Sequence, residues 1–119
     1  MPTTANPATG SHETDEIVLY GGQLGTQLVR VWLERRGGGI ALMSHDIGSG
    51  LESPFGSSDI ETFLEVDAVD LRPLAAALGD ATGDPMQLLA ARYRGESAAT
   101  SHLRHLLSEH GIPHRFHVI

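Results

Sequence analysis

Gln27-Leu28-Val29-Arg30-Val31-Trp32-Leu33-Glu34-Arg35 decides the fold. Val29, Val31 and Leu33 fall on one side of an extended chain, and Arg30, Trp32 and Glu34 on the other. A period of two marks a strand with one buried face. Trp32, apolar in body and polar at its N–H, suits the wetter side. Arg36-Gly37-Gly38-Gly39 then supplies a flexible hairpin loop, and Ile40-Ala41-Leu42-Met43-Ser44 is the returning strand. Upstream, Glu16-Ile17-Val18-Leu19-Tyr20 is a short β-rich run that Gly21-Gly22 ends. Gly21-Gly22-Gln23-Leu24-Gly25 has neither the lysine of a P-loop nor a helix after it, so it reads as a tight turn. Downstream, Asp59 to Val66 alternates again. Ile60, Thr62, Leu64 and Val66 point inward, and Glu61, Phe63 and Glu65 outward. Successive strands of this kind form an antiparallel meander.

After Val66 the period changes to that of a helix. Asp70 is an N-cap residue before the stripe Leu71, Leu74, Ala75 and Leu78, which Gly79 ends. Asp84-Pro85 is an N-cap followed by proline at the first helical position, and Met86, Leu89, Ala90 and Tyr93 follow until Gly95. Ser97 opens a third helix with Leu103, Leu106 and Leu107 on one face, closed by Gly111. Ile112 to Ile119 is extended and apolar enough for a last strand at a sheet edge. The expected architecture is α+β: a four- to five-stranded, mainly antiparallel sheet with three helices packed on one face. Residues 1–14, rich in Thr, Ala, Pro and Gly, form a disordered tail, and 15–119 a single domain.

Composition limits the function. There is no cysteine, hence no disulfide, thiolate metal site or thiol nucleophile. No apolar run approaches the ~20 residues that span a membrane, and the N-terminus lacks the plan of a signal peptide. The expected location is the cytoplasm. Net charge is −7, with residues 1–66 carrying nine acids against three arginines and residues 67–119 six against five. No Lys or Arg lies between Arg36 and Arg72. Nucleic-acid binding needs clustered cations and is excluded on that ground. An acidic surface suits a basic protein or a divalent cation.

The acids concentrate in Ser44 to Glu61, which holds Asp46, Glu52, Asp59 and Glu61 with His45 and Phe55 and no Lys or Arg. Antiparallel pairing brings His45 and Asp46 toward Asp59 and Glu61. Carboxylates with an imidazole can hold a hard cation or form an acid/base pair. The simpler reading caps turns with Asp46 and Asp59 and leaves Glu61 in water. His45-Asp46-Ile47-Gly48 spells the core of the HD-class metal phosphohydrolases, but that motif needs a helix, and here it leaves a strand and enters Gly-Ser-Gly. His102, His105 and Glu109 share one helix face at metal-ligand spacing, on the side opposite the leucines, where a solvated polar face is the ordinary outcome. His114 and His117 point to opposite sides of a strand and form no pair.

Ser44-His45-Asp46-Ile47-Gly48, Phe55-Gly56 with Asp59 and Glu61, and Glu109-His110-Gly111-Ile112-Pro113 together resemble a group of small bacterial α+β proteins. In that group a hairpin leads to a Ser-(His/Gln)-Asp-(Ile/Leu)-Gly turn. The resemblance supports the fold and brings no catalytic residues. In size and charge the chain is similar in kind to immunity proteins that neutralise toxins. The favoured expectation is a non-enzymatic binding protein without a cofactor. Asp46, Glu52, Asp59 and Glu61 would supply charge to a basic protein partner, and Phe55 an apolar anchor. Two alternatives stay open. One is a metal-assisted hydrolase using His45, Asp46, Asp59 and Glu61. The other is an oligomeric accessory protein of a bacterial biosynthetic pathway, a homodimer paired through the C-terminal edge strand.

Overall fold

The structure, a computed structural model, describes residues 16–48 and 59–119. The expected tail, Glu52 and Phe55 lie outside the described residues. Five strands form one antiparallel sheet in sequence order: β1 (Glu16–Leu24), β2 (Gln27–Arg36), β3 (Gly39–Ile47), β4 (Ile60–Val66) and β5 (Arg115–Val118). A short 3-10 turn (Ala68–Asp70) leads from β4 into α1 (Leu71–Ala77). α2 (Pro85–Tyr93) and α3 (Ala99–Glu109) follow before β5 returns to the free side of β4. The α+β expectation holds, with β5 at one edge of the sheet as expected.

Alternation along the strands divides the sheet into two faces. One carries Leu19, Val29, Val31, Leu33, Ile40, Leu42, Leu64 and Val66, which pack with Leu74, Met86, Leu89, Leu103 and Leu107 from the helices. Burial of that apolar surface is the main favourable contribution to folding. The other face carries a small separate cluster, Trp32, Ala41 and Met43 with Phe63 against them, and no helix among the described residues covers it.

Turn chemistry sets the joints. Gly25, Gly37 and Gly38 adopt positive φ at the two hairpin turns, a conformation costly for residues with a side chain. Gly79, Gly95 and Gly111 do the same just beyond the helices, the usual place for a left-handed terminator. The Gly95 N–H donates to the Leu19 carbonyl at 2.8 Å, tying the end of α2 to β1. Asp84 caps α2 as expected, its side chain accepting from Met86 N–H at 3.0 Å.

Four local expectations are corrected. β1 does not stop at Tyr20. It runs through Gly21 and Gly22, which pair with Arg30 and Val29, and turns only at Gly25-Thr26. The ladder uses backbone groups, so two residues without side chains can keep it. Asp70 makes no side-chain cap, because the 3-10 turn already occupies the approach to α1. α3 begins at Ala99 behind an Ala98 cap position, leaving Ser97 outside it. Ile60 has inward parity yet is 45% exposed, because it sits at the end of the sheet.

Candidate functional site

The sheet face away from the described helices has two halves. In the first, charged side chains cover the aromatics. The Arg30 guanidinium lies 4.3 Å from the centre of the Trp32 ring system, and Arg36 lies 5.0 Å from that of Phe63, both within cation–π range. Trp32 Nε1 donates to Glu34 at 3.0 Å, and Arg36 bridges Glu34 and Glu65 at 2.9 and 3.5 Å. Arg115 bridges Glu65 and Asp67 at 3.3 and 2.9 Å, and His117 reaches Glu65 at 3.2 Å. The hydrogen bond from Arg115 holds the Asp67 carboxyl below its ordinary range, and the same bond raises Arg115.

The second half lies toward the 48–59 connection, and its apolar residues are open. Val18, Leu28 and Ile47 are 49%, 54% and 37% exposed. Leu28 and Ile47 are cross-strand partners, and Gly21, opposite Arg30, leaves space beside them. With Arg30 and His45 they outline a shallow apolar depression of about 300 Å³. Carboxylates stand behind its two basic lining residues. His45 pairs in register with Glu61, and His45 Nε2 is 3.8 Å from Asp59 Oδ2. Glu16 stands 3.4 Å from Arg30. Register and alternation thus gather His45, Asp59 and Glu61 on one face.

Asp46 is on the other face. It pairs with Val29 and Ile60 and lines a cleft beside the start of α3, with Ser44, Thr62, Thr100, Ser101 and Arg104. The four residues of the hydrolase alternative are therefore divided between the two sides of the sheet. Adjacent residues of a strand point oppositely, so His45 and Asp46 cannot both face one ion. Among the described residues no three His, Asp or Glu side chains are grouped to hold a metal. On α3, His102 pairs with Glu96 at 2.7 Å and His105 with Glu109 at 3.2 Å, as two separate pairs. They line a cavity of about 380 Å³ near Tyr93. Burial raises the Tyr93 phenol pKa against the opposing effect of Arg92.

The sequence reading missed the cleft residues Ser44, Thr100, Ser101 and Arg104. Thr62 carried a signal, being a polar residue at an inward strand position. The helix residues carried none, since no pattern in α3 says where its first turns dock.

No family model, curated protein or solved structure matches the chain. No helix among the described residues is long and apolar enough to cross a membrane.

Proposed function

We propose that the protein is a non-enzymatic binding module that engages a basic protein partner through the open half of its sheet face and the carboxylates of Asp59 and Glu61. The observation that carries this reading is the juxtaposition of exposed Val18, Leu28 and Ile47 with Asp59 and Glu61 on a sheet face that no described helix covers. Contiguous apolar surface rimmed by polar residues is the usual form of an interaction site. An apolar centre supplies burial, and like-signed carboxylates around it select and steer a cationic partner. Asp59 and Glu61 belong to the cation-free interval that also contains Glu52 and Phe55. Partnership of the inhibitor or immunity kind suits such a small acidic domain.

The test is capture from cells of the source organism on immobilised protein, comparing the wild type with Leu28→Asp and with Asp59→Arg/Glu61→Arg. A basic protein retained by the wild type, released by high salt and lost with both variants supports the proposal. A partner retained equally by all three places the contact elsewhere.

A further inference from the structure

The core-bearing face of the sheet changes chemistry along its length. Leu42 and Leu64 are cross-strand partners and fully buried. Two residues further along, the pair is Ser44 and Thr62, and beyond it Asp46 stands opposite Ile60. All of these point to the helix side. Three positions whose parity belongs to the core are therefore polar. The helix side matches them: Ser97 precedes α3, and Thr100, Ser101 and Arg104 lie on its first turns. Between sheet and helix is a cleft of about 280 Å³ whose apolar wall includes Val29 and Phe116.

A purely structural cleft would leave its polar groups matched, and only some are. Ser44 and Thr62 satisfy one another, oxygen to oxygen, at 2.5 Å. The Thr100 Oγ1 is buried and has no hydrogen-bond partner among the described residues, an arrangement that costs free energy until an acceptor or donor arrives. Two charges of opposite sign line the cleft. The Arg104 guanidinium lies 4.0 Å from the centre of the Phe116 ring and makes no ion pair among the described residues. Asp46 makes none either. By contrast Arg30, Arg36 and Arg115 on the opposite face each find a carboxylate.

We propose that this cleft binds a small zwitterion of the amino-acid class. The carboxylate meets Arg104, whose planar fork matches it bidentately and whose stacking on Phe116 holds the guanidinium in place. The ammonium meets Asp46. The Thr100 and Ser101 hydroxyls complete the polar contacts, and Val29 and Phe116 receive the ligand side chain. Ala98 at the cap position offers no side-chain acceptor to the first-turn amides of α3, which adds to the positive character of the carboxylate end. A volume of about 280 Å³ is at the lower limit of small-molecule sites, which favours a single amino acid over a peptide. A ligand with one charge would leave either Arg104 or Asp46 unmatched, so the cleft discriminates for the zwitterion. The proposal is independent of the partner surface, which lies on the other side of the sheet.

The experiment titrates the ¹⁵N-labelled full chain with pools of the proteinogenic amino acids at millimolar concentration, with acetate and methylammonium as single-charge controls. At least one pool should shift the amides of Ser44, Asp46, Thr62 and Ser101, and one component should account for it. Asp46→Asn and Arg104→Gln should each weaken that binding about ten- to hundredfold, the loss of one charge-assisted contact. Both positions are partly or wholly exposed, so both variants should keep native spectra elsewhere. Thermal unfolding gives a second readout: the component should raise the wild-type midpoint and leave both variants unmoved. The proposal is overturned if no pool shifts these amides, if acetate shifts them as strongly as the amino acid, or if binding survives either substitution unchanged.

Discussion

Replacing Thr62 by valine removes one hydroxyl from the pair it forms with Ser44 at 2.5 Å and preserves the shape of the side chain. The partner hydroxyl is then left half-buried beside the cleft. Orphaning a buried polar group costs about 1–3 kcal/mol. Ser44 is not fully enclosed, so water entering from the cleft places the cost at the low end, about 1 kcal/mol. Ser44→Ala orphans Thr62 in the same way and at a similar cost. The double variant Ser44→Ala/Thr62→Val removes both members of the pair, and such double removals are close to neutral. Each single variant therefore lowers the midpoint by about 4 °C for a domain of this size, and the cycle gives a coupling of about 2 kcal/mol, the two single costs that the double variant recovers. Urea unfolding at 25 °C on the four proteins measures it, with unchanged m-values as the check on two-state behaviour. Strict additivity of the two singles, or a double variant worse than their sum, would refute the reasoning, since the hydroxyls would then not be acting as a pair.

Other perturbations read separate parts of the structure. A methyl group at Gly39 would collide with the Val66 carbonyl oxygen and lie 3.1 Å from Asp67 Cα, so Gly39→Ala should cost about 1–3 kcal/mol in the urea midpoint. Asp84→Ala removes the acceptor for Met86 N–H and should cost about 1 kcal/mol, with Asp84→Asn recovering most of it. The Asp67 carboxyl should titrate below its ordinary value of 3.8 in a carbon-detected NMR titration, and should return toward that value in Arg115→Gln. Because the folded value is the lower one, the Asp67–Arg115 contact stabilises the fold above the ordinary value and loses that contribution as pH falls through the folded one.

Much of the fold was legible because alternation and turn chemistry are local. Val29, Val31 and Leu33 marked the buried side of β2, and all three are buried. Gly79, Gly95 and Gly111 marked the ends of the three helices and adopt the positive φ that such ends require. Gly21 and Gly22 misled because glycine signals a turn by its freedom, whereas the backbone of β1 pairs through them regardless. Ser97 misled because a good capping side chain does not decide where the preceding turn releases the helix. The proximity of His45 to Asp59 and Glu61 was legible from antiparallel pairing. Grouping Asp46 with them overlooked that neighbouring residues on a strand face opposite ways. The approach of Thr100 and Arg104 to Asp46 depends on how α3 docks, and docking is a property of packing, which no local pattern records.

The surface formed by Val18, Leu28, His45, Ile47, Asp59 and Glu61 is tested most directly by chemical-shift mapping of the ¹⁵N-labelled protein against the basic protein it retains from its source cells. The account predicts that the amides of Val18, Leu28, His45, Ile47 and Glu61 shift or broaden, while those of α2 stay in place. Perturbations confined to the helices, with these five amides unmoved, would contradict it.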